Sequence, residues 1–341
     1  MKPPLFISLF TLIVFSCMVF PDPKYTPIVS LKIHEVIKDS LLNIRALEIE
    51  DNFVRAVSAI GDSYSVDLKT NKVYVNRVNI DTINFRASAI VNNHYFTLSI
   101  GDPAYLFKDT ELVYTETHPN VFYDALHFWN SMEGIAIGDP VDGCMSILIT
   151  RNGGNSWDKV SCEVLPSSRE GEAAFAASDT NIAIVDNHTW VVTGGLSSRI
   201  LVSHDKGVSW SAVDIPIVQG KETTGAFSID FYDSLNGFAI GGDYTNPKAM
   251  HSNKIRTSDG GISWEVVAQD QSPGYRSCVQ YIPNSNAKGL VAVGFRGINV
   301  SNNAGESWEL LSDESYYTLR FLNDSIAYAA GKGKLSKITL N

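Results

Sequence analysis

Thr150-Arg151-Asn152-Gly153-Gly154-Asn155-Ser156-Trp157 returns three times in near copy, as Ser203-His204-Asp205-Lys206-Gly207-Val208-Ser209-Trp210, Thr257-Ser258-Asp259-Gly260-Gly261-Ile262-Ser263-Trp264 and Ser301-Asn302-Asn303-Ala304-Gly305-Glu306-Ser307-Trp308. Each copy reads Ser or Thr, any residue, Asp or Asn, any, Gly, any, Ser, Trp. A period of about 50 residues belongs to solenoids, propellers and arrays. Apolar runs flank the copies, such as Ile147-Leu148-Ile149 before the first and Glu265-Val266-Val267 after the third, so each motif reads as the turn of a β-hairpin. Asp or Asn can hydrogen-bond its own backbone two residues on. Gly supplies positive φ without steric penalty. The Trp opens the outgoing strand and is expected to pack between neighbouring sheets with its N–H bonded.

The pattern resembles the Asp-box, or BNR repeat, of sialidase-like β-propellers. That resemblance implies a structural role for Asn152, Asp205, Asp259 and Asn303 and for Trp157, Trp210, Trp264 and Trp308. A second repeat supports it. Short runs ending in Gly occur seven times, at Ala59-Ile60-Gly61, Ser99-Ile100-Gly101, Ala136-Ile137-Gly138, Val192-Thr193-Gly194, Ala239-Ile240-Gly241, Ala292-Val293-Gly294 and Ala329-Ala330-Gly331. Small side chains suit a crowded second strand, and Gly marks the turn that leaves it. Before each run lies a candidate innermost strand, beginning near Arg45, Arg86, Asp124, Glu172, Phe227, Arg276 and Thr318. The expected fold is all-β: residues 28–341 form a single seven-bladed β-propeller of four-stranded antiparallel blades. Blade 2 keeps a decayed box at Lys108-Asp109-Thr110. The last blade has room for three strands before Asn341, so Ile28–Ile33 is expected to supply its fourth and close the ring.

The chain has 341 residues and a formal net charge of −10, which argues against a nucleic-acid backbone as partner. Residues 1–20 carry one early charge, Lys2, and an apolar run from Leu5 to Phe20, too short for a membrane span and suited to an export signal. Val14-Phe15-Ser16-Cys17 resembles a bacterial lipoprotein signal, which would acylate Cys17; the alternative is an ordinary cleaved signal. Residues 21–27 hold three prolines and read as a tether. The chain is then expected to be a monomer in the periplasm, at the outer membrane or cell surface, or secreted, touching membrane only through a lipid anchor. Cys144 and Cys162 lie nearly equidistant from the Gly153 turn and could pair in an oxidising compartment, or remain two small buried hydrophobes. No Cys/His cluster has zinc spacing and no dinucleotide fingerprint is present, so no metal or cofactor is assigned. Whether Asp139 and Asp243 lend oxygens to Ca²⁺ stays open.

Phe128-Trp129-Asn130, Gly138-Asp139-Pro140-Val141-Asp142-Gly143, Gly171-Glu172-Ala173-Ala174-Phe175-Ala176-Ala177-Ser178, Gly241-Gly242-Asp243-Tyr244 and Pro273-Gly274-Tyr275-Arg276-Ser277 resemble the exported bacterial proteins named for WD40/YVTN/BNR-like repeats, relatives of photosystem II stability/assembly factors. The resemblance implies a non-catalytic propeller that binds a protein partner or a glycan at the cell envelope, an assembly or stability role among the possibilities. Strand direction puts the boxes on one face and the starts of inner strands on the other. Arg45, Arg86, Asp124, Asp139, Glu172, Asp243, Tyr244 and Arg276 are therefore expected around the central funnel, either as a ligand site or as ion pairs tying blades together. The alternative is a sialidase-type glycosidase, with Arg45, Arg86 and Arg276 clamping an acidic sugar and Tyr244, Glu172 and Asp62 doing the chemistry. Against it, Phe85-Arg86-Ala87-Ser88 lacks the Ile-Pro that follows the first sialidase arginine.

Overall fold

The computed structural model describes residues 25–78, 80 and 83–341. The expected export segment, Cys17 and residues 21–24 of the expected tether lie outside the described residues. Every helix or strand named among the described residues is a strand. They form seven four-stranded antiparallel blades, two of them fused through one long strand. Blade 2 runs Phe85–Val91, His94–Ser99, Ala104–Lys108 and Glu111–Glu116, and the other blades repeat that meander.

The fused strand, Leu31–Glu50, closes the ring. Its first half pairs with Lys332–Leu340, from Leu31↔Leu340 to Lys38↔Lys334, and serves as the outermost strand of blade 7. Its second half pairs with Phe53–Ser58 as the innermost strand of blade 1. Val29 and Ser30 donate to the Asn341 carbonyl at 2.9 and 3.1 Å, which seals the seam. Buried apolar clusters then fill each gap between blades. Ala87, Leu98 and Leu126 lie between blades 2 and 3, Val291, Val293 and Leu319 between 6 and 7, and Leu47, Val54 and Ala330 between 7 and 1. Each blade thus buries both faces, which an isolated four-stranded sheet of this composition could not do.

The four boxes lie between third and fourth strands and share one hydrogen-bond pattern. Thr150, Ser203, Thr257 and Ser301 accept the N–H of Gly154, Gly207, Gly261 and Gly305 at 3.0, 2.7, 3.0 and 2.9 Å. Asn152, Asp205, Asp259 and Asn303 accept the N–H of the following Ser at 2.9–3.0 Å. Where the box carries Asp, the Ser209 and Ser263 hydroxyls donate to it at 2.6 Å; those bonds lead in holding Asp205 and Asp259 down at about 2. The glycine is needed twice over. Its φ is +76 to +87°, and a Cβ would approach the preceding blade to 2.3 Å at Gly154 (Phe96) and 2.1 Å at Gly305 (Phe238). The tryptophans pack between blades as expected, and Trp210, Trp264 and Trp308 donate to the box glycine carbonyl at 3.1–3.2 Å. Trp157 departs from this: its indole N–H has no partner, and its ring meets Phe128 edge-on at 5.6 Å. At the decayed copy, Asp109 leaves its own turn and accepts the Tyr95 N–H at 2.9 Å.

Cys144 and Cys162 are joined by a disulfide with Cα atoms 5.5 Å apart, which pins the loop after the blade 3 box to the start of the third strand. Cys278 is free and buried.

Replacing Gly305 by Ala forces both a left-handed β-carbon and a collision with Phe238, whereas Gly143 has φ +98° and open space around it. Gly143→Ala should therefore cost about 1–2 kcal/mol from backbone strain alone and Gly305→Ala clearly more, read as the difference in urea midpoints.

Candidate functional site

In blade 4 the innermost strand does not start where the sequence pattern puts it. Glu172–Ala173 pairs briefly with Gly194–Gly195, and the regular inner strand is Ile182–Val185. Between them the chain leaves the sheet and crosses the central channel. Its short side chains, Ala174, Ala176, Ala177 and Ser178, fit that space. Gly194 and Gly225 make room beside it: a Cβ on Gly194 would meet Phe175 at 2.3 Å, and one on Gly225 would meet Gly194 at 2.4 Å.

This crossing strap bonds to every other blade. Arg45 of blade 1 donates to the Ala177 carbonyl and Arg86 of blade 2 to the Ala176 carbonyl, both at 3.3 Å. The Asp179 carboxylate accepts the N–H of Ser88 in blade 2 at 2.9 Å and of Leu126 in blade 3 at 3.0 Å. Ile229 of blade 5 donates to the Thr180 carbonyl at 2.8 Å, and Ser178 donates to the Ser277 carbonyl ahead of blade 6 at 2.6 Å. In blade 7, Thr318 donates to the Ser178 carbonyl at 2.8 Å and Arg320 to the Asp179 carbonyl at 2.9 Å. Arg320 also pairs with Glu48 at 3.3 Å. His127, whose Nε2 lies 3.2 Å from the Asp179 carbonyl oxygen, is pulled down to about 4 by burial and is neutral at ordinary pH. The channel is thus plugged, and its mouth is a closed-bottomed pocket.

That pocket, about 250 Å³, is lined by Arg45, Arg86, Phe175, Ala176, Ala177, Phe227, Tyr244, Tyr275, Phe295 and Tyr317. No carboxylate is among them. Phe175 and Phe227 stack at 3.9 Å, Tyr275 meets Phe227 edge-on at 4.9 Å, and Phe295 leans on Tyr275 at 5.3 Å. Tyr244 and Phe295 form a rim exposed to solvent. The Arg45 guanidinium sits 4.2 Å over the Tyr317 ring, a cation–π contact. Burial, then repulsion from Arg45, lowers Arg86 to about 10, so Arg86 stays charged at neutral pH. A larger, open trough of about 1100 Å³ follows the closing seam, but charges there already pair, Lys38 with Glu35 and Lys334 with Glu314. The funnel is the better candidate because its arginines line it with no acid beside them at the surface a ligand would meet.

Of the residues expected at the funnel, the structure brings Arg45, Arg86 and Tyr244 together. The other five lie elsewhere. Glu172 is buried within blade 4, where it binds Arg199 at 2.6 Å and accepts from Thr193 at 2.7 Å. Asp243 caps its own turn, accepting from Thr245 at 2.6 Å and Thr223 at 2.9 Å. Arg276 turns into blade 6 and donates to Asn299 at 2.5 Å and to the Tyr275 carbonyl at 2.7 Å. Asp124 is fully buried behind the strap, with neither carboxylate oxygen hydrogen-bonded. Burial, reinforced by Asp139, pushes its carboxyl well up against the opposing pull of Arg86. Asp139 accepts the Ala174 N–H at 2.8 Å, and burial raises it to about 6. The sialidase constellation is not assembled either. Arg276 and Glu172 are engaged as above, and Asp62 is held by Arg77 at 2.5 and 2.8 Å. Among the described residues, no group of three or more His, Cys, Asp or Glu could hold a metal ion, Asp139 and Asp243 included.

The sequence reading missed the aromatic wall. Phe175, Tyr275, Phe295 and Tyr317 precede inner strands or follow second strands, the zone expected at the funnel, where charged residues are the more conspicuous signal. The run Ala173-Ala174-Phe175-Ala176-Ala177-Ser178 lacks strand alternation, and that was the available signal for the strap.

No family model and no curated protein matches the chain. Solved structures do. The chain is similar to "YCF48 bound to D1 peptide" (TM-score 0.64, 10% identity, 93% of this chain and 99% of that one). It is equally similar to YCF48 from Cyanidioschyzon merolae (TM-score 0.65, 10% identity, 91% and 99%) and to the Pan2 WD40 domain of Neurospora crassa (TM-score 0.64, 11% identity, 93% and 97%). At such identities the likeness establishes the propeller fold.

Two predictions follow from the strap. Asp179→Ala leaves two inner-strand N–H groups buried without an acceptor and should cost about 3–5 kcal/mol in urea unfolding; a loss below about 1 kcal/mol would remove Asp179 from its central place. Asp139 has a raised folded value, so the folded chain holds its proton more tightly than the unfolded chain does. The stability tied to that proton is complete below about pH 4 and is lost as pH rises through about 6. Asp139→Asn should therefore gain roughly 1–3 kcal/mol on wild type between pH 4 and pH 7, and a pH-independent difference would contradict the assignment.

Proposed function

We propose that the chain is a non-catalytic, partner-binding propeller whose funnel takes a segment of another protein, and that it works as an exported protein held at the cell envelope through Cys17. The observation that carries the binding reading is the pairing of two guanidinium groups with an aromatic wall in a pocket closed from below, with no acid among the lining residues. Such a pocket suits a carboxylate beside an aromatic or aliphatic side chain: the arginines take the anion through charge-assisted bonds and the rings take the apolar part. The strap makes the site rigid before binding, which lowers the ordering cost of association. A propeller of the same shape, YCF48, is known in complex with D1 peptide. The Cys144–Cys162 disulfide suits an oxidising compartment and favours export.

An array of peptides from envelope proteins tests the reading. Peptides with Asp, Glu or a free C-terminus beside an apolar residue should bind wild type and lose about tenfold or more in affinity with Arg45→Met. Tyr244→Ser should weaken the same peptides, while Lys337→Ala, on the outer strands of blade 7, should leave them unchanged. Equal binding by wild type and Arg45→Met across the array would reject the funnel as the binding surface, and capture of oligosaccharides in place of peptides would redirect the reading to a glycan.

A further inference from the structure

The described chain begins on the face opposite the funnel. The Tyr25 hydroxyl donates to Asn302 Oδ1 at 2.6 Å; the same amide accepts the Ile28 N–H and donates to the Ile28 carbonyl, both at 2.9 Å. Asn302 is the second residue of the blade 6 Asp-box. The Tyr25 ring also covers Gly289, where an added Cβ would come within 2.6 Å of its hydroxyl oxygen. Residue 25 is therefore fixed to the box face. Cys17 stands eight residues before it, a reach of at most about 29 Å when fully extended.

The box face presents apolar side chains at its turn tips. Val208 and Ile262, 65% and 79% exposed, occupy the variable position after the box glycine. Met132, Leu235 and Leu322 occupy the hairpins between first and second strands on the same face and are 50%, 54% and 37% exposed. Val29, 69% exposed, sits beside the entry point. Apolar side chains spread over one rim are poor in water and well suited to the interfacial zone of a bilayer.

We infer that the Asp-box face lies against a lipid surface, with Val208, Leu235 and Ile262 in contact with it, while the funnel opens away from the membrane toward its partner. The inference rests on the proposal that Cys17 anchors the chain at a membrane, and it is independent of what the funnel binds. Short tether and fixed exit point bring the box face toward the membrane, and its apolar tips suit that contact; the funnel face exposes Leu41, Tyr244 and Phe295 but lies on the side away from the exit point.

The test uses the chain acylated at Cys17, reconstituted into phosphatidylcholine/phosphatidylglycerol vesicles that carry a headgroup quencher. A fluorophore is placed at Ile262→Cys on the box face or at Leu41→Cys, whose site on the funnel face is 70% exposed. Cys278 is buried, Cys144–Cys162 is bonded and acylation occupies the Cys17 thiol, and unsubstituted chain run in parallel corrects for residual labelling. Quenching at position 262 should exceed that at position 41 several-fold. Val208→Glu/Ile262→Glu, with the label at Leu235→Cys, should cut quenching at least twofold while peptide binding at the funnel stays unchanged. Equal quenching on both faces, stronger quenching at position 41, no effect of the glutamates, or recovery of the chain free of vesicles would each overturn the inference.

Discussion

The carboxylate of Asp179 stands at the centre of the molecule, and its two oxygens hold the inner strands of blades 2 and 3 by their backbone N–H groups. A buried charge is costly unless its hydrogen-bonding capacity is met. Burial pushes the Asp179 carboxyl well up; the neighbouring Arg320 guanidinium, which also binds the carbonyl of the same residue, and the two backbone donors pull it the other way. The left-handed backbone of Asp179, φ 59°, turns the strap from the channel axis back toward the sheet. The same few residues thus lead into the inner strand of blade 4 and also bind the other six blades together. Removing the strap would leave an open channel and two arginines without their carbonyl partners; with it, the mouth becomes a pocket with a floor.

The floor sets the chemistry of the pocket. Arg45 and Arg86 each spend one N–H on a strap carbonyl, which fixes where the remaining donors point. Because Asp124 lies behind the strap and does not line the pocket, the groups a ligand meets there are the arginines and the rings. Specific recognition needs this combination of positioned polar groups on a packed apolar surround.

Much of the fold was legible because repeat turns and strand ends are written locally. The Thr150–Trp157 pattern and its copies specify a turn by its own hydrogen bonds, and the run Ala136-Ile137-Gly138 and its copies mark where second strands end. The seam was legible by elimination, since Thr318–Leu340 supplies only three strands. The site was only partly legible. Strand ends give the radial zone of a residue but not the direction of its side chain. Arg86 and Arg276 occupy equivalent zones; Asn84 and the strap hold one in the pocket, while Asn299 draws the other into its blade. Glu172 could not be separated from the funnel without knowing that Arg199 lies beside it, a neighbour supplied by the third strand of the same blade. Trp157 looked like its three counterparts, yet neighbouring Phe96 and Phe128 set its ring where its N–H meets nothing.

The seam has a consequence for how the molecule comes into being. Leu31 and Leu340 are neighbours in the sheet although more than 300 positions separate them in the chain. A strand made near the start of synthesis must stay unmatched until the last turn of the polypeptide is complete, and bringing such distant partners together slows folding. Ile33 and Ile37 would meanwhile present a sticky edge to any other nascent chain. A ring of this kind is born late and all at once, which places a premium on chaperoning its first strand and makes each truncation from either end a loss of closure for the whole circle.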